Sequence, residues 1–452
     1  MIISEIRYNQ AIERLRFDAE FYLPEYLELE NKLAQIGYTS LNDLLEDINR
    51  NPMAYGFTYI KEGYPLIRGV DIKPPFIELN AIKRISKREQ QKYKSTAVYT
   101  GDLIMTVRGT IGQVAVVTDD IGEANISPNL IYLRPKNKKI SEFLAVVLNS
   151  KIGQCQIQQI ITGSVQGTIT EPQICAIRIP KFSKEVINEI LDFVKQAYKK
   201  RKLADERYKK AEALLNKLLG IEKLELKQEK VFEARFNEIE ETLRFDAEHY
   251  QPKYGLVKEF ITKSEYKVKK LREVVEISDK KIEPSSQPTE LFSYIELANI
   301  NPSTGEIEEV SQIKGYEAPS RARMLLEKGD VLVSSLLGSL DNVGLVPEEF
   351  DDAVASTGFF VIRSKTFLPE FLFLLFKSNL MRLQLEEKTA GAIMSAVPKT
   401  TFGDLLIPLI PQETQKQISD LIKQSFELRK ESKQLIEQAK KEVEKFIENQ
   451  NR

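Results

Sequence analysis

Histidine is nearly missing from this chain: its 452 residues carry one, His249. Imidazole is the side chain that titrates nearest neutral pH, so histidine acid–base chemistry has a single candidate. Cysteine is almost as scarce. Cys155 and Cys175 are the only two, and no Cys-x-x-Cys exists. That excludes a cysteine-based structural zinc site and gives no sign of a disulfide framework. No apolar run reaches about 18 residues, the length of a membrane-span candidate. The N-terminal MIISEIRYNQ has no basic region followed by an apolar stretch, so no secretory leader is expected. A soluble, cytoplasmic protein is expected. Net charge is absent too: 65 Lys and Arg face 66 Asp and Glu. Binding to a polyanion must therefore rest on local patches.

Catalytic signatures are missing as well. No HExxH, GxSxG or GxxxxGK[ST] appears, and no metal or cofactor is expected. Lys73-Pro74-Pro75-Phe76 is a near miss for the Asn/Asp-Pro-Pro-aromatic signature of DNA adenine methyltransferases. That signature needs an amide or carboxylate to hold the exocyclic amine of a flipped base. Lysine cannot accept that hydrogen bond.

What the chain does have is a phrase stated twice. Residues 15–26 read LRFDAEFYLPEY and residues 243–254 read LRFDAEHYQPKY, an offset of 228. The offset persists. Gly101-Asp102-Leu103 answers Gly329-Asp330-Val331, Glu142-Phe143-Leu144 answers Glu370-Phe371-Leu372, and Ile179-Pro180 answers Ile407-Pro408. Register kept that far means two copies of one fold. The match is weakest between about 280 and 325. His249 lies inside the phrase, but Phe21 holds its place in the first copy, which argues against an essential base. The phrase itself reads either as a packing and salt-bridge motif or as a docking surface for a partner that binds twice.

Residues 27–48 have apolar positions at helix-like spacing and are expected to be helical. From Asn51 to Arg134 the texture is β-rich, with strands expected at 64–68, 97–99, 102–107, 114–117 and 130–133. Val107 to Gly112 is expected to be a turn between two of them. Residues 142–160 return to helix, 161–170 form a polar loop, and 177–180 a last strand. In the second copy strands are expected at 291–295, 331–333 and 359–362.

Two long helices follow the two globules. Ile187, Ile190, Val194, Ala197, Arg201, Ala204, Tyr208, Ala211, Leu215 and Leu218 alternate spacings of three and four, a coiled-coil seam. No Pro or Gly interrupts 183–219, and Gly220 is placed to end the helix. At 1.5 Å per residue it is roughly 55 Å long. Pro411 opens the second helix, whose seam from Gln415 to Phe446 is more polar. Arg429 falls where Arg201 falls. Facing arginines need carboxylates, for which Asp205 is a weak candidate because its counterpart is Lys433; otherwise both snorkel outward.

The expected fold class is α+β: two similar mixed α/β globular domains, with two long helices pairing as an antiparallel coiled coil in a pseudo-two-fold dumbbell. The expected boundaries are 1–182 and 243–410 for the globules, 183–220 and 411–452 for the helices, and 221–242 for a linker.

Local basic clusters exist despite the neutral total. Lys83, Arg84, Lys87, Arg88, Lys92 and Lys94 form one, and Arg134, Lys136, Lys138 and Lys139 another. Such charges suit phosphates, while base edges are read by Arg, Lys, Asn, Gln, Ser and Thr. DNA-binding candidates in the first copy are Arg68, Lys73, Lys83, Arg84, Arg108, Thr110, Ser164 and Gln166. Those in the second are Arg321, Arg323, Ser335, Ser339 and Asn342.

The doubled Arg-Phe-Asp-Ala-Glu-(Phe/His)-Tyr-x-Pro-x-Tyr resembles the opening of target recognition domains in type I restriction–modification specificity subunits. So do the Gly-Asp-hydrophobic strands leading to Arg108-Gly109-Thr110-Ile111-Gly112, and the Ile-Pro closings before each long helix. The resemblance covers essentially the whole chain. It implies that each recognition domain reads one half of a split duplex DNA target. It also implies that the helices set the spacing and dock two methyltransferase subunits, that restriction subunits join that core, and that catalysis resides in those partners. The second copy departs at the glycine turn, where Leu337-Gly338-Ser339-Leu340 stands. Its contacts are therefore expected to differ. The alternative is a non-catalytic two-headed adaptor that binds proteins and shows no DNA sequence preference.

Overall fold

The computed structural model describes residues 5–6, 8–50, 56–80, 82–162, 167–224, 226, 231–391 and 395–449. The chain divides into two compact units, Met1–Arg201 with Lys430–Arg452, and Lys202–Arg429. The long helices Lys184–Leu219 and Gln412–Asn449 contribute to both.

In the first unit one four-stranded sheet has the order Lys83–Ile85, Tyr64–Ile67, Ala124–Ile126, Ala97–Val98. The other has the order Leu45–Arg50, Leu130–Pro135, Leu103–Thr106, Val114–Val116. Strand Leu103–Thr106 is buried on both faces, which is why it reads as a continuous apolar run rather than an alternation. Its Leu103 and Met105 meet helices Ser141–Asn149 and Lys151–Ile160 and the long helices, while Ile104 faces Ile67, Val98 and Ile126 of the other sheet. The layers are thus helices, sheet, sheet.

The second unit repeats this plan. Its sheets run Ser311–Lys314, Leu291–Ile295, Val354–Ser356, Ala322–Leu325 and Glu276–Ile277, Phe359–Arg363, Val331–Ser334, Val343–Leu345. Every strand of these four-stranded sheets lies within a few residues of its counterpart plus 228, so the sequence repeat is a repeat of topology.

Two expectations are corrected. The helix expected over 27–48 is two separate pieces, helix Pro24–Ile36 and the single turn Leu41–Leu44. Pro24 occupies the first turn of the longer piece, where a missing N–H costs nothing. Gly37, at φ +84°, ends it, and Leu45–Arg50 is a strand on the sheet edge. Leu41, Leu44, Leu45 and Ile48 had kept helical spacing across that boundary by chance. The 142–160 helix is two helices, broken at Ser150, whose hydroxyl caps the second.

The seams are buried as expected, and the two polar positions Ser425 and Ser432 explain themselves. Ser425 Oγ donates to the Ala204 carbonyl and Ser432 Oγ to the Ala197 carbonyl, each at 2.8 Å. Alanine opposite serine lets the backbones approach closely enough for that bond, so a buried hydroxyl is satisfied. In the first unit Phe182 meets Phe446 and Ala197 meets Ser432. Rising numbers on one helix meet falling numbers on the other, so the pairing is antiparallel.

The seam arginines do not snorkel. Arg201 Nη2 pairs with Glu78 Oε2 at 2.8 Å in the first unit, with its guanidinium 4.9 Å from the Phe76 ring. Arg429, only 1 % exposed, pairs with Glu306 at 3.4 Å and with Asp205 in the second. Glu78 and Glu306 are themselves 228 residues apart. Asp205 does answer an arginine, but the carboxylate common to both copies comes from the globule. The weak match over 280–325 concealed it.

Candidate nucleic-acid interface

Both sheets of the first unit end at one rim. Ile67 and Ile126 are partners in a parallel pair, and Ser127 N extends it by donating to Ile67 O at 2.9 Å. Thr106 is opposite Leu130 in the other sheet, and Val107 N donates to Asn129 O at 2.9 Å. The segments beginning at Arg68, Val107 and Ser127 therefore leave the sheets side by side. Gly112, at φ +88°, folds the 107–112 turn back so that its N–H reaches Thr106 O at 2.8 Å. A Cβ there would stand 2.7 Å from Ile157 Cγ2, so glycine is required. Arg108 and Thr110 are exposed at the tip.

Arg68 caps a short turn, Gly69–Asp71. Its Nε and Nη2 hold Asp71 at 3.0 and 2.7 Å, and Asp71 raises the guanidinium pKa. Lys83, exposed, lies opposite Leu66 on the neighbouring strand and 5.8 Å from the Tyr59 ring. The rim thus gathers Arg68, Lys83, Arg108 and Thr110.

Other candidates of the first copy are placed differently. Lys73 lies on the hairpin Ile72–Lys73/Phe76–Ile77. Phe76, the aromatic of the Lys-Pro-Pro-Phe near miss, is buried, its ring 4.7 Å from that of Tyr198. Arg84 donates to the Gly63 carbonyl at 2.8 Å. Ser164 and Gln166 lie outside the described residues. In the second basic cluster Arg134 grips Asp102, which is fully buried, at 2.8 and 3.0 Å. Lys136 and Lys138 donate to the carbonyls of Asp43 and Thr100. That cluster is chiefly structural. Lys87, Arg88, Lys92 and Lys94 remain exposed.

The rim of the second unit is assembled by the same strands. Ser335 N donates to Gly358 O at 2.9 Å, Thr357 N to Arg321 O at 2.9 Å, and Ser334 N to Asn342 O at 3.2 Å. Most of its polar side chains are committed within the rim. Ser335 Oγ donates to Gly358 O, Ser339 Oγ meets Ser334 Oγ at 2.8 Å, and Asn342 Nδ2 donates to Leu297 O at 2.8 Å. Arg321 is exposed there and makes no ion pair among the described residues. Arg323 is held on its strand by Glu283 and the Ser320 carbonyl.

Sequence reading missed the acid that holds each domain together. Asp102 and Asp330 are buried, and each accepts a backbone N–H of the preceding turn and an arginine, Arg134 or Arg363. The repeated Gly-Asp was the signal. Gly101 and Gly329 supply φ of +87° and +84° to turn the chain, and the aspartate locks the turn.

The doubled phrase is half internal and half displayed. Tyr22 and Tyr250 donate to the carbonyls of Arg16 and Arg244 at 2.9 and 2.7 Å. Each arginine holds its neighbour Asp18 or Asp246 below the usual carboxylate range. Yet Leu15 and Phe17 are 79 % and 71 % exposed, and Leu243 and Phe245 are 78 % and 85 % exposed. His249 Nδ1 meets the Glu387 carbonyl at 2.9 Å, a packing role. Among the described residues no His, Cys, Asp and Glu cluster is placed to hold a metal, and no helix is long and apolar enough to cross a membrane.

Comparison with known proteins agrees with this twofold plan. The type I restriction modification DNA specificity domain matches at residues 40–213 and again at 263–441. The chain is 27 % identical over 227 residues to the EcoBI specificity subunit of Escherichia coli, covering 47 % of each. It thus spans about half the length of that relative. It is 22 % identical over 431 residues to a putative type I specificity subunit, MjaX, of Methanocaldococcus jannaschii, covering 89 % of this chain and 90 % of that one. A crystal structure of the S subunit of the type I system from M. genitalium superposes with a TM-score of 0.43 at 13 % identity, over 90 % of this chain and 95 % of that one. On the strength of the two domain matches, which take up most of its length, the chain belongs to the family of type I restriction–modification DNA specificity subunits.

Proposed function

We propose that this chain is the sequence-specific DNA-binding subunit of a type I restriction–modification complex and is not itself a catalyst. Residues 1–182 and 243–410 are the two target recognition domains, each reading one half of a bipartite duplex target. Helices 183–220 and 411–452 set the spacing and dock two methyltransferase subunits, with 221–242 as linker. Restriction subunits join the full complex, and both chemistries reside in the partners. One observation carries the reading: a DNA specificity domain occurs twice on one topology, while the rims carry different side chains. Two equal scaffolds with unequal rims suit two unequal half-sites. Readout is assigned to Arg68, Arg108, Thr110 and Arg321, with Lys83 on phosphate. The exposed Leu15 and Phe17, with Leu243 and Phe245, offer the partner the same apolar patch twice.

The test is capture of the methyltransferase encoded beside this gene, followed by methylation mapping of host DNA with and without the chain. Methylation at one split motif that vanishes on deletion of the chain is the expected result. Unchanged methylation, together with no methyltransferase captured, would overturn the reading in favour of the adaptor.

A further inference from the structure

The strand beside the parallel pair ends in the same turn in both units. Tyr64–Ile67 leads into the 3-10 turn Gly69–Asp71, and Leu291–Ile295 into Leu297–Asn299. The position capping each turn is closed by the side chain three residues on. Arg68 N donates to Asp71 Oδ2, and Glu296 N to Asn299 Oδ1, both at 2.8 Å. The backbone device is shared, but the capping side chain is inverted. Where the first unit presents a fork of donors, the second presents an exposed carboxylate that makes no ion pair among the described residues.

Both turns belong to the rims. Ser127 N bonds Ile67 O directly before Arg68, and Asn342 Nδ2 bonds Leu297 O directly after Glu296. Both turns are also braced. Glu78 N donates to Asp71 O at 2.7 Å and the Glu78 carboxylate pairs with Arg201 of the long helix. In the second unit Glu308 N donates to Asn299 O at 2.8 Å, and Glu306 of the same hairpin pairs with Arg429. Asn299 Nδ2 is committed to the Glu309 carbonyl, so Asn299 supports the turn and leaves Glu296 as its outward polar group.

We infer that residues 68 and 296 are corresponding base-reading positions of opposite hydrogen-bonding polarity. Arg68, held side-on by Asp71, addresses the O6 and N7 acceptors of a guanine. Glu296 accepts from the exocyclic amine of a cytosine. A carboxylate near DNA suffers repulsion from the phosphates, which limits it to a base-edge role and excludes a backbone contact. Arg321 on the same rim supplies the compensating charge. This inference rests on the recognition reading proposed above.

The experiment is selection of bound duplexes from a randomised pool by the full chain, as wild type and as two turn exchanges, R68E/D71N and E296R/N299D. The exchange in the first unit is expected to move one base position of one half-site from guanine to cytosine, by roughly 5- to 150-fold, the discrimination of one bidentate contact. The reciprocal exchange is expected to move one position of the other half-site from cytosine to guanine. R68A and E296A, which leave the backbone caps in place, are expected to flatten the same positions. Wild-type motifs retained by all four variants would overturn the inference and leave DNA recognition standing. A wild-type chain that enriches no motif would overturn the recognition reading, and this inference with it.

Discussion

The two rims stand on the same strands in the same order, and a hydroxyl at the same position, Thr106 or Ser334, helps close each, but the side chains around it differ. In the first unit the Thr106 hydroxyl donates to Thr110 O and accepts from Gln113 N at 3.0 Å, and Arg108 and Thr110 stand exposed on the glycine turn so closed. In the second, Ser334, Ser335, Ser339 and Asn342 tie the rim together. Leu337, 43 % exposed, stands near the tip. The first rim presents a long cation and a threonine at its tip, whereas the second presents a leucine beside serines and an asparagine committed to neighbouring groups. The scaffold is therefore conserved between the copies and the rim is not.

The scaffold should break alike in both units. D102A and D330A each remove the acid that answers a largely buried arginine and closes a turn. Each arginine keeps a second carboxylate, Asp47 at 3.5 Å or Glu327 at 3.1 Å, so each change should destabilise its own unit by about 2–4 kcal/mol, the cost of a lost charge-assisted bond and an unanswered turn N–H. Unit-resolved hydrogen exchange under denaturant measures it, and a clear difference between the units would contradict their equivalence.

The helix anchors should break unequally. E78A leaves Arg201 with the Phe76 face alone, whereas E306A leaves Arg429 still paired with Asp205. We expect about 2–4 kcal/mol for E78A and about half that for E306A. The same measurement decides it, and equal losses would mean that Asp205 contributes nothing.

At the rims, K83A should weaken DNA binding and reduce the slope of log K against log salt by about one, the loss of one phosphate contact. L337A in the other unit should leave the slope unchanged. Fluorescence anisotropy across a salt series separates the two.

A pH-dependent difference concerns Lys377, which stands where the first unit has Asn149. Asn149 bonds the Val114 backbone in both directions. Lys377 bonds the Asp341 and Pro302 carbonyls, and burial lowers its pKa to about 8. Between about pH 8 and the unfolded value near 10.5, the unfolded chain holds a proton that the native one has lost. Wild-type stability should therefore rise with pH relative to K377N, by up to about 3 kcal/mol, and level off beyond that window. A flat difference from pH 7 to 11 in denaturant titrations would refute the assignment.

Much of the fold was legible because a fixed offset survives wherever both copies use a residue for the same task. Gly-Asp, Ile-Pro and the seam all do so. Leu41 to Ile48 misled because apolar residues on a strand edge and a short helix happened to keep helical spacing. The rim was only partly legible, because residue type does not reveal whether a hydroxyl is committed to a neighbouring carbonyl. Arg134 shows the same limit: within a run of lysines it looks like a phosphate ligand, and only the buried Asp102 shows otherwise. Glu78 and Glu306 were hidden because the sequence around the second has diverged and its hairpin registers differently.

The capped turn has a consequence for how such a protein changes over generations. Its shape is secured by the backbone N–H of residue 68 or 296 and by the side chain three positions later. The capping residue can therefore be exchanged without rebuilding its support. A change confined to that codon can rewrite a letter of the target, and the altered letter arrives on a loop already folded to present it.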